Sequence, residues 1–247
     1  MQSQEFRTLS KKLKDNLSRL MEKRSNWESH WQEVSDLMLP RKAEITKERA
    51  RGDKRNTQIF DATAIHALEL LAASLHGMLT SSANRWFSLR FKELSLNDND
   101  EAKEWLEDAT ERMYDAIAKS NFQQEIFECY HDLIAFGTAC LLIENDQEDT
   151  LLFSARHIKE VYIQENKKGL VDTIYRRFKM PAQAVANKFG FENLSREIQN
   201  TSQKNPFDEV ELVHVVRPRE DFDPGKEDKQ NMPFESVYFE YNSGHII

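Results

Sequence analysis

Residues 59–91 constrain the fold most, because within this short stretch the sequence pattern changes from helical to extended. Apolar residues recur every three or four positions through its first half, which predicts a helix with one apolar stripe. The stripe consists of Ile65, Leu68, Leu71, Ala72, Leu75 and Leu79. Alanine and serine occupy many of the other positions and keep this helix thin, so that neighbouring elements can approach it closely. We therefore predict a central packing helix.

The flanking residues predict where this helix begins and ends. Asp61 is a favourable N-cap, because its carboxylate can accept from the free N–H groups of the first turn. Gly77 is predicted to end the helix in the left-handed conformation. The aromatic segment that follows alternates in polarity, which is typical of a strand with one buried face. We expect Trp86, Phe87 and Phe91 in this strand to bury against the alanine-rich helix.

The N-terminal segment is also strongly periodic. Its apolar residues follow a three-four spacing from Phe6 to Met38, and Pro40 ends the pattern. One long amphipathic helix fits this pattern and would exceed the ordinary globular helix of about three turns. A helical hairpin, or two helices separated near residues 24–26, fits equally well, and both interpretations remain open.

The remaining pattern predicts an α+β fold. Two more helices follow residue 97, the second closed by Gly137, and short β-rich runs interrupted by one short helix at residues 181–189 occupy the rest. We expect long N-terminal helices that form a helical layer in residues 1–137. A small, mostly antiparallel sheet is expected in residues 138–247. A strand begins at His245 just before the sequence ends, so we also expect this to be the N-terminal portion of a longer protein.

Composition and motifs exclude several function classes. The 247 residues include 34 basic and 42 acidic side chains, for a net charge of −8, and an acidic chain is a poor general DNA coat. Two cysteines predict neither a disulfide framework nor a cysteine-rich zinc site. Phosphate-binding glycine loops and the usual hydrolase motifs do not occur, and no run reaches the roughly 18 apolar residues of a membrane span. We assign no catalytic, cofactor-binding or metal-binding residue.

Residues 40–58 carry a local surplus of positive charge. This basic segment has seven cations against three carboxylates, for a surplus of +4. A functional interpretation is a loop that contacts an acidic neighbouring subunit or DNA. The simpler interpretation is a solvated or disordered loop. The candidate contact residues are Arg41, Lys42, Lys47, Arg49, Arg51, Lys54 and Arg55.

Two other hypotheses come from different classes. Glu128 and His131 form a Glu-x-x-His pattern that shares one helix face, as in half of a di-iron site. With the carboxylates of residues 98–104 it would support a metal-dependent phosphodiesterase. A surface ion pair and ordinary charges at a helix start explain the same residues more simply. A helical adaptor that binds a protein partner through the basic segment is the third hypothesis.

Several stretches in combination resemble the portal, or head-to-tail connector, of short-tailed bacteriophages. They are WQEVSDLMLPR at residues 31–41, residues 60–91, FGTACLLIE at 136–144, YRRFKMPAQAVANKFG at 175–190 and LVHVVRPR at 212–219. The resemblance extends over nearly the whole chain, and covers the N-terminal half of a typical member. It implies that residues 1–137 and 138–247 are the helical and β-rich parts of a portal wing.

What this resemblance implies is a structural, non-enzymatic protein. Portals form a ring, usually of twelve subunits, at one capsid vertex of the virion. The terminase motor docks on the ring, double-stranded DNA enters and leaves through it, and capsid and tail adaptor proteins attach to it. The resemblance implies no cofactor and no membrane, with synthesis in the host cytoplasm.

Overall fold

The computed structural model describes residues 2–50, 52–93, 96–97, 99–146, 150–223, 225–226, 228 and 231–247. The helices in these ranges are α1 (Gln2–Met38), α2 (Thr63–Leu79), α3 (Asp100–Lys119), α4 (Phe122–Phe136), α5 (Ala182–Phe189) and α6 (Arg196–Lys204). The strands are β1 (Cys140–Asp146), β2 (Thr150–Arg156), β3 (Val161–Glu165), β4 (Val171–Pro181), β5 (Glu209–Pro218) and β6 (Phe234–Glu240). Short 3₁₀ turns occupy Pro40–Lys42, Ile158–Glu160 and Phe191–Asn193.

The predicted α+β class is confirmed, since long helices precede antiparallel sheets. Contacts divide the chain into two compact units. One contains Met1–Trp27 with Glu160–Ile247, and the other contains Glu28–Lys159. This division follows packing rather than the helical and β-rich parts predicted on either side of residue 137, which remain a prediction about a wing.

Helix α1 is continuous over 37 residues, which resolves the alternatives left open by the sequence. It ends at Met38, and Pro40 begins a 3₁₀ turn instead of extending the α-helix. Leu13 and Leu17 are completely buried in the first unit, so the apolar stripe of α1 serves as a packing surface there.

The sheet of the first unit has strand order β3-β4-β5-β6, and each neighbouring pair is antiparallel. Successive side chains of β5 point to opposite faces. Val213 and Val215 pack with Leu13 and Leu17 of α1, whereas Leu212 packs with residues of α5 and α6. The sheet is therefore covered by helices on both faces. The strand predicted at residues 245–247 is reduced to a single bridge between Phe239 and Ile246.

The second unit is built around α2 and α4, with the β1–β2 hairpin beside them. Its core contains Leu39, Ile45, Leu68, Phe136 and Ile158. The Asn121 side chain accepts from the N–H of Phe153 at 2.9 Å and donates to its carbonyl at 2.8 Å, which attaches β2 to the start of α4. Gly137 ends α4 with φ of 72°, as predicted from the sequence.

Both predicted ends of α2 need correction. Ala62 occupies the N-cap position, although the Asp61 carboxylate still accepts a hydrogen bond from the N–H of Thr63. Gly77 lies inside the helix, which continues to Leu79. One helical glycine costs only about 1 kcal/mol. Just beyond the helix, Thr80 is buried with its hydroxyl 3.0 Å from Tyr130 Oη.

The strand predicted at residues 86–91 is wrong. This segment pairs with no strand in the described residues, and its backbone instead bonds to side chains of α3. Tyr114 Oη accepts from the N–H groups of Trp86 and Phe87 at 2.6 and 2.7 Å, and Thr110 Oγ1 accepts from Leu89 N at 3.4 Å. Alternating polarity indicates one covered face, but it cannot tell whether a strand or a helix covers it.

The predicted burial of these aromatic residues is incomplete, since Trp86 is exposed and Phe87 and Phe91 are half-buried. Trp86 stacks on Phe122 of α4, at 5.7 Å between ring centroids, and Phe87 stacks on Tyr114 of α3 at 4.3 Å. The alanine-rich helix α2 therefore does not provide their stacking partners. Trp86 keeps 38% of its surface exposed, so replacing it by alanine should cost less than the ~3–5 kcal/mol expected for a buried tryptophan.

Candidate functional site

The basic segment is held against the C-terminal part of α1 by one buried amide, that of Gln32. Its Oε1 accepts from the N–H groups of Ile45 and Thr46, each at 2.9 Å. Its Nε2 donates to the carbonyl of Ala43 at 3.1 Å. Ala43 and Ile45 are themselves buried. Side chains of α1 therefore satisfy backbone groups in the first half of the segment and fix its path there.

Asp36 lies one helical turn beyond Gln32, on the same face of α1. Its carboxylate is only 3% exposed and pairs with Lys47 Nζ at 2.8 Å and Arg49 Nη2 at 2.9 Å. Burial alone would raise the pKa of Asp36. The hydrogen bonds from Lys47 and Arg49 outweigh it and hold that pKa below its usual value. Two of the candidate contact residues are therefore balanced by one carboxylate of the same chain.

Arg41 and Lys42 pair with carboxylates of α4. Lys42 Nζ lies 2.6 Å from Asp132 Oδ1 and 3.2 Å from Glu128 Oε2, and Arg41 Nη1 also donates to Glu128. Burial favours the neutral form of Glu128, but its hydrogen bond from Arg41 lowers the pKa below the usual value. Burial raises the pKa of the more deeply placed Asp132, because Lys42 offsets only part of its desolvation.

The remaining candidate contact residues are less enclosed. Arg55 donates to Glu44 and, at 2.9 Å, to the carbonyl of Arg41. Lys54 is exposed, and its side chain has no ion pair within the described ranges. Arg51 lies outside the described residues.

Carboxylates from outside the basic segment offset most of its charge. Asp36, Glu128 and Asp132 reduce the surplus of +4 to +1. The segment does meet acidic neighbours, as the functional interpretation expected, but they belong to its own chain.

The proposed metal-site residues have other roles in the structure. Glu128 is engaged by Arg41 and Lys42, and His131 is buried with Nδ1 2.9 Å from the carbonyl of Phe127. His131 Nε2 lies 2.9 Å from Glu69 Oε2 without forming a hydrogen bond. The nearest partners of Glu128 are therefore the cations Arg41 and Lys42, whereas His131 contacts a backbone carbonyl and the carboxylate of Glu69. The phosphodiesterase hypothesis gains no support from this arrangement.

The carboxylates of residues 98–104 begin a helix. Asp98 lies outside the described residues, and the N-cap of α3 is Asn99, whose side chain accepts from Glu101 N at 2.9 Å and Ala102 N at 3.2 Å.

Burial raises the pKa of the Cys129 thiol to about 12, which keeps it protonated and unreactive.

The described part of the chain contains neither a metal-binding cluster nor a membrane-spanning helix. No group of three or more His, Cys, Asp or Glu side chains is arranged to hold a metal ion there. Within the same residues, no helix is both long enough and apolar enough to cross a lipid bilayer.

Sequence reasoning missed the side chains that hold the basic segment in place. Gln32 and Asp36 are polar residues four positions apart that lie buried on α1. Their i, i+4 spacing places them together on one helix face. This spacing is the sequence pattern from which the pair could have been predicted. The partners Glu128 and Asp132 are about 90 residues away in sequence, so no local pattern could connect them to the cations.

Comparison with known proteins places this architecture in a family. Residues 10–247 match the family described as bacteriophage head to tail connecting protein. The chain is 34% identical over 235 residues to the probable portal protein of Bordetella phage BPP-1, covering 94% of this chain and 42% of that protein. It is 32% identical over 235 residues to the portal protein of Salmonella phage epsilon15, with the same coverage of 94% and 42%.

The match is long in this chain but partial in its relatives. The chain spans about two-fifths of the length of each of these two portal proteins. Each relative aligns with 94% of this chain, so the alignment includes both its helices and its sheets. A chain matched over residues 10–247 in this way belongs to the bacteriophage head-to-tail connecting protein family.

Proposed function

We propose that this chain is part of a structural portal protein that forms a ring at one vertex of a phage capsid. Viral DNA is packaged and later ejected through the ring, which also joins the head to the tail. The observation that carries the proposal is the family match over residues 10–247, reinforced by two portal proteins at 32–34% identity. In this proposal the helical part, residues 1–137, and the β-rich part, residues 138–247, together form the wing of the portal.

The assembly has twelve copies in this proposal and is a component of the virion after synthesis in the host cytoplasm. Its partners are the terminase motor, capsid and tail adaptor proteins, and double-stranded DNA that passes through without being gripped. The net charge of −8 supports this, because a chain with more carboxylates than cations does not bind phosphates tightly. The role requires no catalytic residue and no cofactor.

The basic segment has a limited part in this proposal. Lys42 and Arg49 are largely enclosed by Asp132 and Asp36. Arg41, Lys47, Lys54 and Arg55 remain partly or fully exposed, so these four, with Arg51, are the candidates for contact with DNA or a neighbouring subunit. Exposed cations can exchange an intrachain partner for an intermolecular one at low cost, because such surface ion pairs contribute only about 0–1 kcal/mol.

Electron microscopy of the purified full-length protein tests the proposal. Rings of identical subunits with a central hole are expected, and sedimentation should give the mass of the closed assembly. A particle that stays monomeric at every concentration and salt condition would contradict the proposed role. The full-length protein is required, because this chain spans about two-fifths of the length of the two portal proteins that it matches.

A further inference from the structure

The β1–β2 hairpin of the second unit has two long edges, and side chains of α4 bond to the edge formed by β2. The Asn121 side chain bonds to both the N–H and the carbonyl of Phe153. The Glu125 carboxylate accepts from the N–H of Ala155 at 2.6 Å. Both backbone groups of Phe153 therefore point away from β1, toward the helix.

The same hydrogen bonds fix which backbone groups lie on the opposite edge. Ile143 of β1 lies directly opposite Phe153, and the backbone groups of two opposed residues in an antiparallel pair point either toward each other or apart. Those of Phe153 point outward, so those of Ile143 do too. The pattern repeats at every second residue, which adds the groups of Leu141 and Asn145. We call these three N–H and three C=O groups the outer edge of β1.

The outer edge of β1 is open. In the described ranges its sheet has only two strands, and no turn or loop hydrogen bond reaches Leu141, Ile143 or Asn145. The Ile143 side chain is 57% exposed and Asn145 is exposed as well, so solvent reaches this side of the hairpin. An incoming chain therefore finds backbone donors and acceptors at strand spacing.

The edges of the larger sheet are bonded at corresponding places. Arg24 of α1 donates to the carbonyl of Val161 on β3. On β6, the N–H of Glu240 donates to the carbonyl of His245 at 2.8 Å. Proteins protect edge strands in such ways because unpaired backbone groups are a template for another strand. The outer edge of β1 lacks this protection in the described residues and is suited to strand addition.

We infer that the outer edge of β1 binds an extended, basic segment of a different protein as an added antiparallel β-strand. The backbone determines the conformation of the segment, since its N–H and C=O groups must be free to pair along the edge. A helix cannot do this, because its own backbone groups are already bonded to each other. The inference goes beyond the proposed function and does not depend on ring formation.

Charge determines the kind of partner. Residues 140–155 contain four carboxylates, those of Glu144, Asp146, Glu148 and Asp149, and no lysine or arginine. A segment with lysine or arginine complements this charge. A second copy would bring the same carboxylates together in chains that each carry a net charge of −8. DNA is repelled for the same reason.

The alternation of side chains along β1 specifies the segment further. Ile143 and Glu144 are consecutive, so their side chains point to opposite faces of the hairpin. Ile143 is exposed and offers an apolar contact to a neighbouring side chain on its own face. Glu144 offers a negative charge on the other face. The segment that fits both therefore alternates apolar and basic residues.

A synthetic peptide of alternating valine and lysine tests the inference on the full-length protein. Fluorescence anisotropy of the labelled peptide gives its dissociation constant. In antiparallel pairing, the peptide residues that bond to Ile143 and its outward-facing neighbours are valines, because opposed residues share a face. N-methylation of the valine amides should therefore weaken binding about tenfold or more, whereas N-methylation of the lysine amides should leave it unchanged. Both methylated peptides keep the charge of the parent peptide.

Variants of the protein test the same edge from the other side. Ile143→Pro removes one outward N–H, and proline is tolerated on an edge strand where the N–H faces solvent, so the circular dichroism spectrum should not change. We expect this variant to bind the peptide about tenfold more weakly. Glu144→Gln should weaken binding about threefold, and its matched control Glu104→Gln, at an exposed position of α3, should not.

Three results would overturn the inference. The first is equal binding of the two methylated peptides, or binding in the reverse order. This comparison needs no variant and decides the question even if Ile143→Pro fails to fold. The second is unchanged affinity of a folded Ile143→Pro variant. The third is loss of rings in that variant, which would place a second copy at the edge. If the parent itself forms no rings, the proposed function fails, while the peptide comparison still tests the edge.

Discussion

Replacing Gln32 by alanine should release the first half of the basic segment. The substitution removes the acceptor of the N–H of Ile45 and the donor to the carbonyl of Ala43, both of which are buried. An unsatisfied buried polar group costs about 1–3 kcal/mol. The bond to Thr46 matters less, because that residue is exposed and water can replace the lost partner.

These terms give a loss of about 3 kcal/mol once limited relaxation is allowed. For a protein of 150–250 residues, each kcal/mol lowers the melting temperature by about 2–4 °C, so the expected decrease is roughly 6–12 °C. Thermal unfolding followed by circular dichroism measures this decrease. Hydrogen exchange with mass spectrometry should also show faster exchange in peptides that contain Ile45 and Thr46.

The matched control is Gln124→Ala, which changes a glutamine at an exposed position of α4. It should stay within about 0.5 kcal/mol of the parent, because it leaves no buried group unpaired. If Gln32→Ala melts like the control and residues 43–47 keep their protection, the amide does not hold the segment and the reasoning fails.

Three further predictions concern individual contacts. The folded-state pKa of Asp36 is lowered, so its carboxylate contributes stability above the unfolded value of about 3.8 that disappears as the pH falls through the folded value. Asp36→Asn should therefore lower the free energy of unfolding by about 2 kcal/mol at neutral pH and reduce the further loss of stability in acid. The control Asp115→Asn, at an exposed position, should change neither quantity. Urea unfolding at several pH values measures both. Tyr114→Phe should cost about 1–2 kcal/mol in urea unfolding, because the hydroxyl binds the backbone of residues 86 and 87, and an unchanged midpoint would refute this contact. Gly77→Ala should stabilise by about 0.5–1 kcal/mol inside α2, while Gly137→Ala should destabilise by about 1 kcal/mol because φ is 72°. A lower melting temperature for Gly77→Ala would contradict the first assignment, and a higher one for Gly137→Ala the second.

The long elements could be predicted because their signals are local. The three-four spacing of α1 and the left-handed glycine after α4 depend on residues within one or two turns, and the structure confirms both. The short β-rich runs predicted after residue 137 are strands in the structure, since β-branched and aromatic residues mark them. Element type and order, and with them the α+β class, follow from such patterns.

The partners of these elements could not be predicted in the same way. Alternating polarity at residues 86–91 indicated one covered face, but only packing shows that α3 and α4 cover it. Gly77 is a stop signal on its own, yet the helix continues through it to Leu79. Local propensity is a weak constraint, because a glycine inside a helix costs only about 1 kcal/mol.

The sequence by itself determined the helices, the strands, the acidic charge and the family to which the chain is similar, because each depends on residue order along the chain. Tertiary structure alone decided what surrounds each charged or apolar face. It brought Asp36, Glu128 and Asp132 to the basic segment and left Leu70 and Met78 of α2 exposed. The physical reason is that burial and charge pairing depend on distances in space between residues far apart in sequence.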